Sequence, residues 1–314
     1  MVRIRKLSVR YLDVELSVAN NLRVRVVERP GLWMSPDELR DIVDDLRTVA
    51  SSTLKGGSLD YGVLSGEPDR LDHAILTVLY EGEANRPVAF NALALIALEV
   101  RGVREEVLHM GLVMVDPDFR SKRLSWVLYG LSVMLTFFHR QLRPLWISSV
   151  TQVPAVFGMV AESFDNVFPS GSGEARRSYN HLTIARQIMA DHRHVFGVAD
   201  EAGFDAERFV IIDSYTGGSD NLKKTFDAAP KHRRDLYNEI CGAELDYDRG
   251  DDFLQIGQVR LPTARRYLMR SVPRRSLGSI LYQALFLLGG SILLPMLHWF
   301  SAGTQFLDLR PWKE

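Results

Sequence analysis

The 314-residue sequence contains a single cysteine, Cys241, so no disulfide can form within the chain. Such scarcity fits a reducing compartment. The sequence also lacks an excess of either charge, because 38 Lys and Arg residues stand against 39 Asp and Glu residues. Without a broadly basic surface, nucleic acid is not an expected partner. The N-terminus has no unbroken apolar segment of signal-peptide length, so no cleaved signal is expected.

Several motifs for catalysis and metal binding are also missing. No serine lies in a G-x-S-x-G sequence, which argues against a hydrolase nucleophile elbow. His192 and His194 have no Cys or His partner at zinc spacing, so no metal is expected. The acidic sequence DYDRGDD, Asp246 to Asp252, lacks the later Glu of a calcium loop and is interpreted as a solvated turn. Cys241 has no activating motif nearby and is interpreted as a buried structural thiol.

Hydrophobic periodicity predicts alternating strands and helices through about residue 165. Helices are expected from Pro36 to about Ala50, after the N-cap Ser35, from Lys122 to about Arg140, and over Pro154 to Ser163. Strands are expected at Leu22 to Arg29, His73 to Gly82, Pro87 to Val100, Glu106 to Val115, and after Pro144. This order indicates an α/β fold class with a mixed central sheet flanked by helices.

The segment VMVDPDFRSKRLSWVLYGLSV lies at a predicted strand-to-helix junction. The first turn of a helix leaves backbone N–H groups free for a phosphate, and Arg120, Lys122 and Arg123 add positive charge there. By charge alone, the same residues also fit a solvated helix start. The segment resembles the acyl-CoA-binding signature of the GCN5-related N-acetyltransferase (GNAT) family. Val115-Asp116-Pro117 matches the turn that ends the family's central strand, and the six loop positions that follow are Arg120, Ser121, Lys122, Arg123, Leu124 and Ser125.

The resemblance covers roughly Leu22 to Pro169 and implies a GNAT-like, acyl-CoA-binding domain over residues 1–170. It implies transfer of an acyl group, acetyl or longer, from an acyl-CoA to an amine, with no metal involved. Val113 and Val115 on the central strand join the loop as expected acyl-CoA-binding positions. Two positions depart from the family pattern: Arg123 replaces the loop glycine, and Met159 stands where members often carry a Tyr that acts as general acid.

Two residues of the central strand are the predicted catalytic bases. His109 has an ordinary pKa suited to proton transfer near neutral pH. Simple alternation places it on the same face as Val113 and Val115, where it is either a base or a core histidine bonded to a neighbour. Glu106, near the start of the strand, is either a second base or a solvated carboxylate.

The remainder of the chain is predicted to form two further regions. Residues 171–264 are expected to add α/β structure that acts as a lid or acceptor region. Residues 265–314 combine an Arg-rich segment with a predicted hydrophobic C-terminal helix, because Leu277 to Phe300 contains no charged Asp, Glu, Lys or Arg. Such a segment fits a C-terminal anchor or a peripheral attachment at the cytoplasmic face of a membrane. The alternative is a buried helix, or a hairpin broken at Gly289-Gly290.

Three functions remain open from the sequence. The first is an acyltransferase at the cytoplasmic membrane face, with an unknown amine, free or lipid-linked, as acceptor. The second is a catalytically silent protein that binds acyl-CoA, which Arg123 and Met159 would explain. The third is a membrane-tethered scaffold in which the fold has only a structural role.

Overall fold

A mixed β-sheet forms the centre of the computed structural model, which describes residues 3–4, 11–19, 21–53, 62–120, 124, 126–171, 173, 175–217 and 222–289. Its strands are β1 (Arg3–Ile4), β2 (Asp13–Ala19), β3 (Leu22–Glu28), β4 (Ala74–Glu81), β5 (Arg86–Val100), β6 (Val103–Met110), β7 (Val113–Val115), β8 (Leu145–Thr151), β9 (Asp165–Phe168), β10 (Gly203–Asp205), β11 (Val210–Ile212) and β12 (Asp252–Val259).

The helices are α1 (Pro36–Thr53), α2 (Pro68–Leu71), α3 (Ser132–His139), α4 (Pro154–Ser163), α5 (Tyr179–Gln187), α6 (Asp235–Glu244), α7 (Leu261–Arg270) and α8 (Arg274–Leu288). A π-helical segment, Trp126–Leu131, leads directly into α3, and another, Ile188–His192, extends α5. The predicted helix from Lys122 therefore begins, within the described residues, as a π-helical turn.

The strand order is β1-β2-β3-β4-β5-β6-β8-β12-β11-β10, with β7 paired to β5 and β9 paired to β12. Among the described strand pairs, β6 and β8 run parallel and the others run antiparallel. The predicted mixed α/β architecture is thus confirmed. The sequence prediction missed β2, which pairs with β3 ahead of the first expected strand.

Helices cover both faces of the sheet, which explains why its central strands are apolar on both sides. On one face, α1 packs over β4 and β5, and α5 packs over β6, β8 and β12. On the other face, α3, α4, α7 and α8 contribute to the largest apolar cluster, and α6 packs against α4. The two faces separate cleanly in β4, where Ile75 and Leu79 belong to one cluster and Leu76 and Val78 to the other.

The central strand is interrupted by a β-bulge at Gly111 and Leu112. Ala94 of β5 pairs with His109, and Asn91 pairs with Val113, so three steps along β5 match four along its partner. One residue is therefore inserted, which reverses the facing of every later side chain. A Cβ on Gly111 would lie 2.4 Å from the carbonyl oxygen of Ala92, which explains the glycine.

The bulge corrects the expected facing of the central strand. Val113 and Val115 pack against the cluster beneath α3, whereas Leu112 and Met114 pack against the α1 cluster. His109 faces the α1/α5 side of the sheet, opposite to Val113 and Val115. The prediction that the three share a face was wrong, because it assumed unbroken alternation.

A gap opens in the sheet beyond the bulge. The parallel pairing of β6 with β8 extends to Met110 and Ser149. Beyond that point β7 continues along β5. The Leu112 carbonyl and the Asp116 N–H both bond to the β5 backbone. By strand alternation, the backbone groups of Val113 and Val115 face away from β5, toward the gap.

The later regions of the chain were predicted with mixed success. The boundary at residue 170 stays a prediction. The sheet crosses this boundary, because β12 pairs with β8 along the whole length of β8. Part of the expected hydrophobic helix, Leu277 to Phe300, coincides with α8, and residues 290–314 lie outside the described residues. None of the described helices has both the length and the apolar character needed to cross a membrane.

Replacing Gly111 by Ala tests the bulge. The added Cβ meets the Ala92 carbonyl, so the central strands must shift, and we expect the variant to lose about 1–3 kcal/mol of unfolding free energy. The matched control is Gly278→Ala in α8, where a Cβ has no neighbour within 4 Å and Ala favours the helix by roughly 1 kcal/mol. Urea unfolding measures both variants, and equal stability of Gly111→Ala and wild type would contradict the tight fit.

Candidate functional site

A cavity of about 720 Å³ lies on the α1/α5 face of the sheet, beside the bulge. It exists because β5 presents the small side chains of Ala92 and Ala94 between the parts of the face covered by α1 and by α5. His109 of β6 and Gly111 also line it. Its walls are the segment before β4, the C-terminal end of β8, the turn after α5, and the pair Ser214 and Tyr215.

His109 lines this cavity and is held rigidly. The side chain is buried, its Nδ1 lies 3.0 Å from Ser148 Oγ, and its ring stacks on Phe196 with centroids 5.0 Å apart. Burial lowers the pKa of His109 to about 4, so the imidazole is neutral at pH 7 and only weakly basic. These contacts account for a structural role, and the predicted role as a base stays a prediction.

Glu106 lies near the opposite end of β6 from the bulge. Its carboxylate forms ion pairs with Arg29 and with Arg140. Arg29 also approaches His73 Nδ1 at 3.2 Å. The two ion pairs hold the carboxylate in place and give Glu106 a structural explanation. Its predicted catalytic role stays a prediction.

The loop with the predicted acyl-CoA-binding residues begins where β7 ends. Asp116 closes β7 by accepting a hydrogen bond from the Asp118 N–H at 3.0 Å. Arg120 is exposed, and its Nε lies 3.4 Å from the Val115 carbonyl oxygen, at the edge of the gap. Leu124 is buried in the core beneath α3. The other predicted members, Ser121, Lys122, Arg123 and Ser125, lie outside the described residues.

The helix after this loop is fixed to the sheet beside the gap. The buried side chain of Asn91 donates a hydrogen bond of 2.5 Å to the carbonyl oxygen of Leu128, within the π-helical segment. The widened turns of a π-helix leave carbonyls without their usual partners, and an amide from β5 supplies one here. The position of the loop relative to β7 is therefore set by a contact between the helix and the sheet.

The interpretation of DYDRGDD as a solvated turn was wrong for its last two residues. Asp251 and Asp252 are 1% and 4% exposed, respectively. Asp251 is bound by the Arg249 guanidinium at 2.8 and 2.7 Å and by two backbone N–H groups. Although burial alone acts the other way, these partners lower the pKa of Asp251.

Asp252, which lines the cavity, has a different environment. Its oxygens accept hydrogen bonds from the Ser214 hydroxyl and, at 3.5 Å, from the Tyr215 hydroxyl. Burial raises the pKa of Asp252 to about 7. The sequence signal that could have indicated the burial of Asp252 was strand alternation, because Asp252 shares a face with the apolar residues Leu254 and Ile256.

Two other predicted positions are explained by packing. Met159 is partly buried against the core on the α3 face. Met159 does not line the cavity, whereas Tyr215 does. Cys241 is buried, as predicted, and burial raises the pKa of its thiol to about 12, so it is not a thiolate near neutral pH.

Several imidazoles surround the cavity mouth. His73, His192 and His194 line it together with Arg70. Burial, followed by the charges of Arg70 and His192, lowers the pKa of His194. In the part of the chain that the structure describes, no group of three or more His, Cys, Asp and Glu side chains forms a metal site.

Three of the solved structures that are similar to part of this chain are described as acyl-group transferases. A ribosomal-protein-S5-alanine acetyltransferase from Vibrio fischeri is 11% identical, with 43% of this chain and 74% of that chain covered and a TM-score of 0.30. A glucosamine-6-phosphate N-acetyltransferase from Arabidopsis thaliana is 13% identical, with 37% and 74% covered and a TM-score of 0.24. A probable N-acyltransferase from Enterococcus faecalis is 12% identical, with 47% and 34% covered and a TM-score of 0.29.

No family model and no curated protein sequence matches the chain. The descriptions of these three solved structures name the same kind of enzyme as the sequence resemblance does. Because the TM-scores describe only partial overlap, the function proposed below rests on the bulge, the gap and the cavity of this chain.

The buried imidazole predicts a specific pH dependence of stability. The folded-state pKa of His109 is lowered from 6.5 to about 4, so its contribution is present above pH 6.5 and is lost as the pH falls through about 4. Between pH 7.5 and pH 4, the wild type should lose about 3 kcal/mol more unfolding free energy than the non-titrating variant His109→Gln. Urea unfolding at pH 7.5 and pH 4 provides the comparison, and the same pH dependence in both proteins would show that the environment does not disfavour the imidazolium.

Proposed function

We propose that this protein transfers an acyl group from an acyl-CoA to an amine acceptor bound in the cavity beside Gly111. The observation that supports the proposal most strongly is the gap between β7 and β8, which borders that cavity. A gap within a sheet leaves one edge of a strand without a neighbouring strand, and such an edge is able to take up an added one. Such a site can hold an extended donor against the edge while an acceptor approaches from the other face.

The open edge suits the chemistry of coenzyme A. Its pantetheine arm carries two amides, which are able to pair with backbone N–H and C=O groups as an added strand does. The backbone of Val113 and Val115 would supply that edge, because the opposite edge of β7 already pairs with β5. The pyrophosphate would then lie near Arg120 and the start of the following helix, where positive charge and free N–H groups are expected.

The acceptor would occupy the 720 Å³ cavity on the α1/α5 face. Its amine nitrogen would attack the thioester carbonyl, forming a C–N bond and breaking the C–S bond. The nitrogen loses one proton, and the released thiolate gains one. A backbone N–H at the bulge would stabilise the negative charge that develops on the carbonyl oxygen.

A second candidate function is acyl-CoA binding without turnover. It is favoured by Arg123, which replaces the loop glycine, and by Met159, which packs in the core where the family often has a phenol. Release of free thiol from acetyl-CoA and longer acyl-CoAs, with a panel of amines, separates the two. Binding with no amine-dependent thiol release would support the silent protein.

We further propose that α7 and α8 hold the protein at an anionic, cytoplasmic membrane face, where a lipid-linked acceptor would be within reach. These helices expose Leu261, Met269, Leu281, Tyr282 and Leu285. Arg265, Arg270 and Arg274 are exposed on the same two helices, and no Asp or Glu occurs from residue 253 to residue 307. Exposed apolar side chains combined with unopposed positive charge are typical of surfaces that bind anionic lipids.

The donor site predicts that the double variant Arg120→Ala and Arg123→Ala binds acyl-CoA at least about 100-fold more weakly, because two charge-assisted phosphate contacts are worth roughly 1.5–3 kcal/mol each. Isothermal titration calorimetry with acetyl-CoA measures the change. The matched control, Arg40→Ala with Arg104→Ala, removes the same charge from exposed positions elsewhere. Equal affinity in all three proteins would argue against this donor site.

The membrane proposal predicts that replacing Arg265, Arg270 and Arg274 by Gln weakens binding to anionic vesicles roughly 100-fold, at about 1 kcal/mol per Arg. Flotation with phosphatidylserine-containing and with neutral vesicles provides the measurement. A control with Arg40, Arg104 and Arg186 changed to Gln has the same net charge. If the two triple variants float equally, membrane binding depends on net charge and not on this surface.

A further inference from the structure

Asp252 occupies a defined position on the wall of the cavity. It is the first residue of β12, and the pairing of Phe253 with Thr151 places it next to Gln152 at the end of β8. Leu254 and Ile256 pack into the α5-side cluster, so by alternation Asp252 faces the same side of the sheet. That side also bears His109 and opens at the bulge.

The Asp252 carboxylate is buried without a cation. Among the described residues, no Lys, Arg or His forms an ion pair with it, whereas its neighbour Asp251 takes the Arg249 guanidinium. Its hydrogen bonds come from the neutral hydroxyls of Ser214 and Tyr215. A buried carboxylate normally has a paired charge, because an unpaired one is costly.

The other ionisable groups around Asp252 do not supply that missing charge. Asp251, the residue before β12, carries like charge and acts, after burial, to raise the pKa of Asp252. Burial and the Asp252 charge both raise the pKa of Tyr215, and burial, Cys241 and Asp252 raise that of Tyr247, so both phenols stay neutral. Arg70 and His194 also line the cavity, but both are exposed and neither forms an ion pair with Asp252.

We propose that Asp252 is the general base that takes the proton from the acceptor amine, directly or through one water. The inference rests on the acyl transfer proposed above and identifies the residue that drives it. As the C–N bond forms, the N–H electron pair stays on nitrogen and the proton moves to a carboxylate oxygen of Asp252. The C–S bond breaks, and the thiolate that leaves takes up one proton from solvent, while Asp252 returns its proton to solvent.

The alternatives on the central strand fit this role less well. A base works best when its pKa lies near the working pH, and Asp252 meets that condition at about 7. His109, with a pKa of about 4, is a far weaker proton acceptor. Glu106 is held by two arginines. The uncompensated carboxylate also indicates the acceptor class, because a primary ammonium entering the cavity would provide the missing counter-ion. It gives one proton to solvent to become the attacking amine, and the second proton passes to Asp252 as the C–N bond forms.

The test is Asp252→Asn, which keeps the size of the side chain and an oxygen for the Ser214 and Tyr215 hydroxyls. We expect acetyl-CoA affinity by calorimetry to stay within about 2-fold, and kcat/KM for thiol release to fall at least 100-fold. In wild type, log kcat/KM should rise with unit slope up to about pH 7 and then level off. This rising limb should be absent from Asp252→Asn and present in the exposed-site control Asp248→Asn.

A second variant tests Asp252 without replacing it. The hydrogen bond from Ser214 favours the ionised carboxylate, so Ser214→Ala should move the rising limb to higher pH by about half to one unit. A merely structural role for Ser214 would leave the midpoint in place. This readout remains available if Asp252→Asn does not fold.

The results separate this inference from the proposed function. If wild type turns over and Asp252→Asn keeps full kcat/KM with the same rising limb, Asp252 is not the base and acyl transfer stands. An unmoved limb in Ser214→Ala, in an active protein, leads to the same conclusion. If wild type neither binds nor consumes acyl-CoA, the proposed function and this inference both fail.

Discussion

The candidate site depends on one extra residue in the central strand. The bulge at Gly111 and Leu112 reverses the side-chain facing of β7 relative to β6, and at the same place the sheet opens between β7 and β8. Without the insertion, Val113 would face the same side as His109, and the central strand would continue in regular register with β5. The close approach of Gly111 to the Ala92 carbonyl shows why a side chain is not accommodated there. A local irregularity in one ladder thus separates the proposed donor edge from the proposed acceptor cavity.

Local patterns predicted much of the fold because they are strong in this part of the chain. The strand in Arg86–Val100, the α1 stripe and the Ser35 cap, which hydrogen-bonds with Glu38, all follow from period and composition. The bulge was not predictable from alternation, since Glu106 to Val115 is continuously consistent with one strand. The position of β12 beside β8 also escaped prediction, because it depends on pairing between segments about 100 residues apart.

The site residues divide in the same way. The loop from Arg120 and the central strand were predicted from a local motif, and their role in binding stays a prediction. Leu124, one of the loop positions, is a core residue. Asp252 could not be identified from composition, because an acidic cluster is usually a solvated turn. Its neighbour Asp251 resembles it in sequence but is neutralised by Arg249. The two adjacent carboxylates differ in chemistry because they have different partners: Asp251 binds a guanidinium and two backbone N–H groups, whereas Asp252 binds two neutral hydroxyls.

The place of β12 in the sheet has a consequence for the synthesis of the protein. β8 ends at Thr151, but the strand that covers its free edge begins at Asp252 and lies between β8 and β11. At ribosomal rates of about 5–20 residues per second, that edge waits roughly 5–20 s for its partner. An apolar strand with unpaired backbone groups is open to association with other chains during this interval. The nascent chain therefore exposes a strand edge that can pair with other chains. The strand that later covers this edge, β12, is also the strand that places Asp252 at the cavity.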